Sequence, residues 1–155
     1  MTTTSRLPNV IDGLIATFGA VSGLTVFDGP EFSLTSDSLG EFVIVGGNGD
    51  AQAESGGGTQ EWAGLGHRSR NEEGPVICAI VVQTGDTAIK PSRDRAYVLL
   101  GQLESALVTD PTLGGAVMAG WLLPLNHTLE AAENDLGSYV RVTFTVNYRS
   151  RLEGT

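Results

Sequence analysis

Hydrophobic and polar positions alternate most regularly over residues 139–148. Every second residue there is apolar, namely Val140, Val142, Phe144, Val146 and Tyr148, and the residues between them are mostly polar. Successive side chains of a β-strand point to opposite faces, so this pattern predicts a strand with one apolar face. Such a strand is expected to pair within a sheet, because an isolated one would fray.

The segment before this strand is ambiguous. Residues 126–133 include Glu130-Ala131-Ala132-Glu133, which favours a helix by intrinsic propensity. The turn-like Asn134-Asp135-Leu136-Gly137 that follows favours the first arm of a β-hairpin instead. We predict the hairpin, with the regular strand as its second arm.

Helical spacing of apolar residues predicts two helices. The first covers about residues 8–20, where Pro8 suits the first turn. The second covers roughly 91–108, with Ser92 as its expected N-cap and Asp110-Pro111 as its expected end.

Shorter apolar runs predict the remaining strands. These runs lie at 24–27, 41–45, 76–84 and 116–125, and an edge strand is expected within 61–70. The run over 76–84 is almost entirely apolar, which is typical of a central strand covered on both faces. Asn71-Glu72-Glu73-Gly74-Pro75, just before it, is expected to form a turn.

The order of these segments predicts an α+β fold. We expect a single, mostly antiparallel sheet with two main helices packed on one face, ending in a C-terminal β-hairpin. The composition of the 155 residues does not change along the chain, so one domain is expected over 1–155. Within it, we expect a flexible N-terminus over about 1–6 and a flexible glycine-rich loop over about 46–60.

Charge and composition narrow the function. The formal net charge is −9, so the chain as a whole repels nucleic acid, and sequence-specific DNA binding is not expected. No apolar run reaches the roughly 20 residues of a membrane span. The first residues lack the basic and apolar regions of a signal peptide. The single cysteine, Cys78, lies in an apolar run and is expected to be buried and unreactive.

Candidate catalytic chemistry is sparse. Gly46-Gly47-Asn48-Gly49-Asp50 follows a strand, but Gln52 stands where a dinucleotide-binding loop needs its third glycine, and Lys90 is the only lysine. The two histidines, His67 and His127, have no second ligand at metal-site spacing. We expect no catalytic residue, cofactor or metal site. A Ser–His–Asp triad that converges only in space is left open by the sequence.

The basic residues include three pairs of arginine: Arg68 with Arg70, Arg93 with Arg95, and Arg149 with Arg151. Arginine and tryptophan are both enriched at protein interfaces. The candidate interface residues are therefore Trp62, Arg68, Arg70, Arg149 and Arg151. The alternative is that Trp62 is a core residue and that the arginines are solvent-exposed residues at the ends of strands. Each arginine would then contribute about 0–1 kcal/mol of interaction free energy.

Several segments in combination are similar to one protein family. They are Val10-Ile11-Asp12-Gly13-Leu14-Ile15, the strand and turn over 24–30, the stretch from Trp62 to Glu73 that leads into the apolar strand from Val76, and the last strand over 140–146 with Arg149 and Arg151. In this order they resemble the tail terminator proteins of long-tailed, siphovirus-type bacteriophages. The likeness covers most of the chain.

The resemblance implies a structural virion protein and not an enzyme. Members of the family form a hexameric ring on the head-proximal end of the tail tube, stop its polymerisation and present a surface to the head connector. The implied partners are copies of the same chain, the tail tube protein and the head connector protein, with no membrane. DNA passes through the lumen without specific binding. The expected location is the virion tail, after synthesis in the host cytoplasm.

Two alternatives to a tail terminator stay open. One is another phage head–tail joining or tail tube protein, because such proteins also assemble rings of small domains. The other is a small enzyme whose site forms between subunits.

Overall fold

The computed structural model describes residues 4–21, 23–29, 40–48, 54–64, 68–85, 88–115, 117–118, 124–134 and 137–152. Within these ranges the chain forms helices α1 (Leu7–Gly19) and α2 (Ile89–Thr109). The strands are β1 (Thr25–Asp28), β2 (Gly40–Val45), β3 (Thr59–Trp62), β4 (Arg70–Thr84), β5 (Pro124–Asn134) and β6 (Gly137–Leu152). The predicted α+β class is confirmed.

The strands form one mostly antiparallel sheet in the order β1-β2-β4-β6-β5. Strands β1 and β2 run parallel, and every other pair described is antiparallel. Strand β3 pairs with the first residues of β4, beyond the end of β2. The predicted hairpin is confirmed, because β5 and β6 pair from Asn134–Gly137 back to Pro124–Val146.

Both helices pack on one face of the sheet, as the apolar stripes predict. The apolar side of β6, from Val140 to Tyr148, is buried there together with alternate residues of β4. Helix α1 contributes Val10, Leu14 and Phe18, and the Phe18 and Phe144 rings lie 6.3 Å apart. Because these side chains recur at helical spacing, they form an apolar stripe along the helix. Burial of the stripe places the helix flat on the sheet.

The opposite face of the sheet has a smaller apolar cluster. Ile44, Ala79 and Val81 are fully buried there, and Phe27 and Phe42 pack against them with ring centroids 5.7 Å apart. The central part of β4 is therefore covered on both faces, as its nearly continuous apolar sequence predicts.

The predicted turn over 71–75 is wrong, because these residues belong to β4 and pair with β6. Pro75 is tolerated in the strand for a geometric reason. Its carbonyl oxygen accepts a hydrogen bond from Gly57 N (3.0 Å), on the side away from β6. The N–H and C=O of one strand residue point the same way, so the N–H that proline lacks is not one that β6 requires.

The predicted loop over 46–60 runs too far at its C-terminal end, where it enters a strand. Residues 54–58 lie along β4, where Ile77 N donates to Ser55 O at 2.9 Å, and β3 begins at Thr59. The edge strand expected within 61–70 is present but lies at 59–62. Residues 49–53 lie outside the described residues.

Three further predictions concern single segments. Ser92 is not the N-cap of α2, because the helix begins earlier and Ala88 is the cap residue. The end of α2 before Asp110-Pro111 is confirmed. The strand expected over 116–125 lies largely outside the described residues, and β5 begins at Pro124. No helix in the described part of the chain is long and apolar enough to cross a membrane.

Candidate assembly surface

The five candidate interface residues all lie at one end of the sheet. In the strand register Trp62 stands opposite Arg70, Arg149 opposite Glu73, and Arg151 opposite Asn71. Arg68 is exposed and precedes β4 by two residues. We call this region the sheet end and define it as these five residues with their neighbours Glu61 and Glu73.

The sheet end has two faces. Trp62 and Arg70 share a face with Tyr148 and Leu152, which is the face that carries the helices. Arg149 and Arg151 lie on the opposite face, because strand residues alternate. The five residues were named from residue type alone, and the strand register separates them into these two groups.

Trp62 is an exposed residue and not part of the core. It remains 67% exposed at the end of the four-residue strand β3. Tryptophan in this setting offers a large apolar area to a partner, which is typical of residues that dominate binding energy. The alternative interpretation of Trp62 as a core residue is wrong.

On the face opposite the helices, two arginines of β6 lie beside carboxylates of β3 and β4. Glu61, Asn71, Glu73 and Arg149 line a polar cleft of about 60 Å³ with Thr59. Arg151 Nε donates to Asn71 Oδ1 at 3.3 Å. Both signs of charge are therefore presented side by side, an arrangement that orients a charged partner more than it adds affinity.

Glu72 anchors the helix-bearing face of the sheet end. The residue is 2% exposed, and its Oε1 accepts hydrogen bonds from Ser5 Oγ (3.0 Å) and Arg6 N (2.9 Å) just before α1. Its Oε2 accepts from Gln60 Nε2 at 2.6 Å, and Arg70 Nη1 donates to Gln60 Oε1 at 2.8 Å. One carboxylate therefore joins β4, β3 and the start of α1.

Hydrogen bonding sets the ionisation of this anchor. Burial raises the pKa of Glu72, but donors from Gln60, Ser5, Arg6 and Tyr148 outweigh that effect and hold the pKa below 4.5. Burial, followed by the negative charge of Glu72, raises the pKa of the Tyr148 hydroxyl. Glu72 is thus ionised at neutral pH and acts as a fixed acceptor.

Sequence reasoning missed this anchor because Glu72 was assigned to a turn. Glu72 has the same strand parity as Val76, Cys78 and Ile80, which face the helices, but this relation appears only when 70–84 is read as one strand. Glu73, its neighbour, is exposed on the opposite face. Adjacent residues of a strand point to opposite faces, so the two carboxylates do not meet.

The other polar groups of interest make structural contacts. His127 Nδ1 lies 3.1 Å from the Tyr97 hydroxyl, and His67 lies outside the described residues. Cys78 is fully buried, and burial raises the pKa of its thiol to about 12, as expected of an unreactive cysteine. Among the described residues, no group of three His, Cys, Asp or Glu side chains is placed to hold a metal ion.

A second surface, the outer edge of β5, was not recognised from the sequence. All side chains from Asn126 to Glu133 are exposed, on both faces of the strand. Within the described residues, the main chain of β5 hydrogen bonds only to β6. The sequence of this segment is compatible with a helix or a strand, so it does not indicate that the segment forms a border of the sheet.

Comparison with protein-family models and with curated proteins gave no match. The placement of exposed residues and the resemblance of the sequence are therefore the grounds for a functional proposal.

Proposed function

We propose that this protein is a structural virion component that forms a ring on the head-proximal end of a bacteriophage tail tube. There it ends tube polymerisation and offers the surface to which the head connector joins. The observation that carries the proposal is the grouping of Trp62, Arg68, Arg70, Arg149 and Arg151 at one end of the sheet. The resemblance to tail terminator proteins supports the same role.

A ring stacked on a tube needs contacts of two kinds. Sideways contacts join unlike surfaces of neighbouring copies, because a cyclic ring is built from heterologous contacts. Axial contacts join the ring to the tube or to the connector. The sheet end suits a specific contact of either kind, because it combines an exposed tryptophan with arginine and glutamate side chains on neighbouring strands.

The net charge is compatible with passage of DNA through the ring. Binding of phosphate requires lysine and arginine, and this chain has nine of these against 18 acidic residues. The proposed partners are copies of the chain, the tail tube protein and the head connector protein. DNA passes without specific contact, and the role requires no cofactor and no chemical step.

Charge reversal at the sheet end tests the proposal. Arg149→Glu with Arg151→Glu should leave the subunit folded, because Arg151 is exposed and Arg149 lies half-buried in an open polar cleft, where ion pairs contribute little to stability. If the pair makes sideways contacts, rings should be lost in negative-stain images and light scattering; if it makes axial contacts, rings should form but virions should have overlong or headless tails. Normal rings and infectious particles from this variant would contradict the proposed role of the pair.

A matched control reverses two charges elsewhere. Lys90 and Arg93 are exposed at the start of α2. Acidic residues are compatible with a helix N-terminus, so Lys90→Glu with Arg93→Glu should fold and assemble normally. This control separates a local contact from the general effect of a more negative chain.

The tail phenotype separates the terminator from the alternatives. Loss of a terminator leaves tube growth unchecked and gives overlong tails. Loss of another joining protein gives tails of normal length without heads, and loss of a tube subunit gives no tails. A small enzyme with a site between subunits would leave tail length unchanged.

A further inference from the structure

Strand β5 presents a long outer edge. It has 11 residues, and the hydrogen-bonding groups on its outer side meet no other main chain in the described ranges. The strand follows a straight register from Asn126 to Asn134, and its irregularity is confined to Pro124 and Asn126. A long, regular edge of this kind is a ready template for another strand.

The edge carries few of the features with which proteins block such pairing. From Asn126 to Asn134 there is no proline, lysine or arginine, and no bulge interrupts the register. Glu130 is exposed but is held by Arg141 Nη2 at 2.5 Å. Protected edges are normally short, bulged, or interrupted by proline and lysine, so this edge is suited to being covered by a strand.

The opposite border of the sheet at the same level is β1. Following the registers across β2, β4 and β6 places Val26 level with Leu129, as part of the row Val26, Val43, Ile80, Val142 and Leu129. Strand β1 runs antiparallel to β4, whereas β5 runs parallel to β4. The two borders therefore run in opposite directions.

This relationship permits a specific contact between copies. Rotating one copy about an axis parallel to the strands brings its β5 beside β1 of the next copy. The two strands are then antiparallel, and no translation along the strand direction is needed to align them. The helices of both copies then lie on the same side of a continuous sheet, because rotation preserves the faces.

In the register that places Val26 opposite Leu129, the facing residues of the two strands are complementary. Leu129, which is 38% exposed, meets the half-buried Val26, and His127 meets the exposed Asp28. The other two pairs in the row are Thr25 with Glu130 and Phe27 with Thr128. No like charges are opposed. A shift by two residues would instead place Asp28 against Leu129 and Phe27 against Glu130, which are mismatched pairs.

We propose that β5 of one copy pairs antiparallel with β1 of a second copy, so that the sheet continues from subunit to subunit. This inference rests on the ring of the proposed function, and it identifies the sideways contact. The sheet end lies at the other end of the strands and is left free for axial contacts with the tube or connector.

Disulfide trapping tests the pairing in the full chain. Facing residues of antiparallel strands have Cβ atoms about 4.5–5.5 Å apart, close to the spacing that a disulfide needs. Asp28→Cys combined with His127→Cys should give a ladder of covalent oligomers on a non-reducing gel after oxidation with copper phenanthroline. The native thiol of Cys78 is fully buried and does not compete.

The single variants are the controls. Asp28→Cys alone and His127→Cys alone should stay monomeric on the same gel. Dimers from His127→Cys alone would show that β5 pairs with β5, and would overturn the inference. Rings in micrographs without a ladder from the double variant would overturn the inference but not the proposed function. Absence of any oligomer, together with virions whose tails are unaffected by loss of the protein, would overturn both.

A second variant does not depend on oxidation. Leu129→Lys adds a long charged side chain to the edge and should abolish rings while leaving the circular dichroism spectrum and melting temperature of the subunit nearly unchanged. Val98→Lys is the matched control, because Val98 is a 50% exposed apolar residue on α2 and not on a strand. Rings from Leu129→Lys as abundant as those from Val98→Lys would overturn the pairing.

Discussion

The carboxylate of Glu72 in β4 accepts the main-chain N–H of Arg6 at 2.9 Å, immediately before α1. The first N–H groups of a helix have no partner within the helix, so an acceptor at this point both satisfies a donor and favours the helix dipole. Helix α1 has no side-chain cap at its own N-cap residue. A strand residue far away in sequence therefore orients the helix on the sheet.

Removal of this acceptor should destabilise the fold. Glu72→Ala is expected to lower the free energy of unfolding by about 2–3 kcal/mol, because donors from several elements lose a charged acceptor in a buried place. Urea unfolding followed by circular dichroism would measure the change. Glu73→Gln, one residue away and exposed, should change stability by no more than about 0.5 kcal/mol. Equal effects of the two variants would argue against the anchor.

The contribution of Glu72 should depend on pH in the acid range. Its pKa is lowered from 4.5 in the folded protein, so the folded state favours the ionised form. The stabilisation is therefore fully present above about pH 4.5 and is lost as the pH falls through the lowered pKa. The stability difference between the wild type and Glu72→Gln should be constant near neutral pH and shrink on acidification. A difference that grows in acid would contradict this assignment.

Gly74 should tolerate no side chain. A Cβ at this position would lie 2.1 Å from the main-chain oxygen of Gly57, which also accepts a hydrogen bond from the Tyr148 hydroxyl at 3.2 Å. Gly74→Ala is expected to destabilise by about 1–3 kcal/mol, because the 54–58 segment must move off β4. Gly101→Ala is the matched control, since a Cβ there meets nothing within 4 Å on α2. That change should stabilise the helix by about 1 kcal/mol, and thermal melts of both variants would check the contrast.

Cys78 should react only when the protein unfolds. Its side chain is fully buried, and burial raises the pKa of the thiol to about 12, so very little thiolate exists at pH 8. We expect Ellman's reagent to label the native protein at a rate that follows global unfolding, and to label it at once in urea. Rapid labelling without urea would show that β4 opens locally.

Local periodicity was enough to predict the main elements and the fold class. The buried side of an element can be read from its own residues. Examples are the alternation in β6, the apolar stripes of α1 and α2, and the apolar run in β4. The burial of Cys78 follows from the apolar run in which it lies. The candidate interface residues were chosen by residue type, and their place at one end of the sheet follows from the strand register.

What the sequence did not decide depends on contacts between distant segments. Gly74 and Pro75 look like a turn until β6 and the 54–58 segment are placed on either side of them. Gly74 then allows the main chain of Gly57 to approach closely, and Pro75 needs to hydrogen bond on one side only. Gln60, Arg6 and Glu72 meet only because β3, α1 and β4 converge. Likewise, strand order and register place β5 at a border of the sheet and align its residues with those of β1. Both are set by the whole sheet, and no hydrophobic periodicity within either segment indicates them.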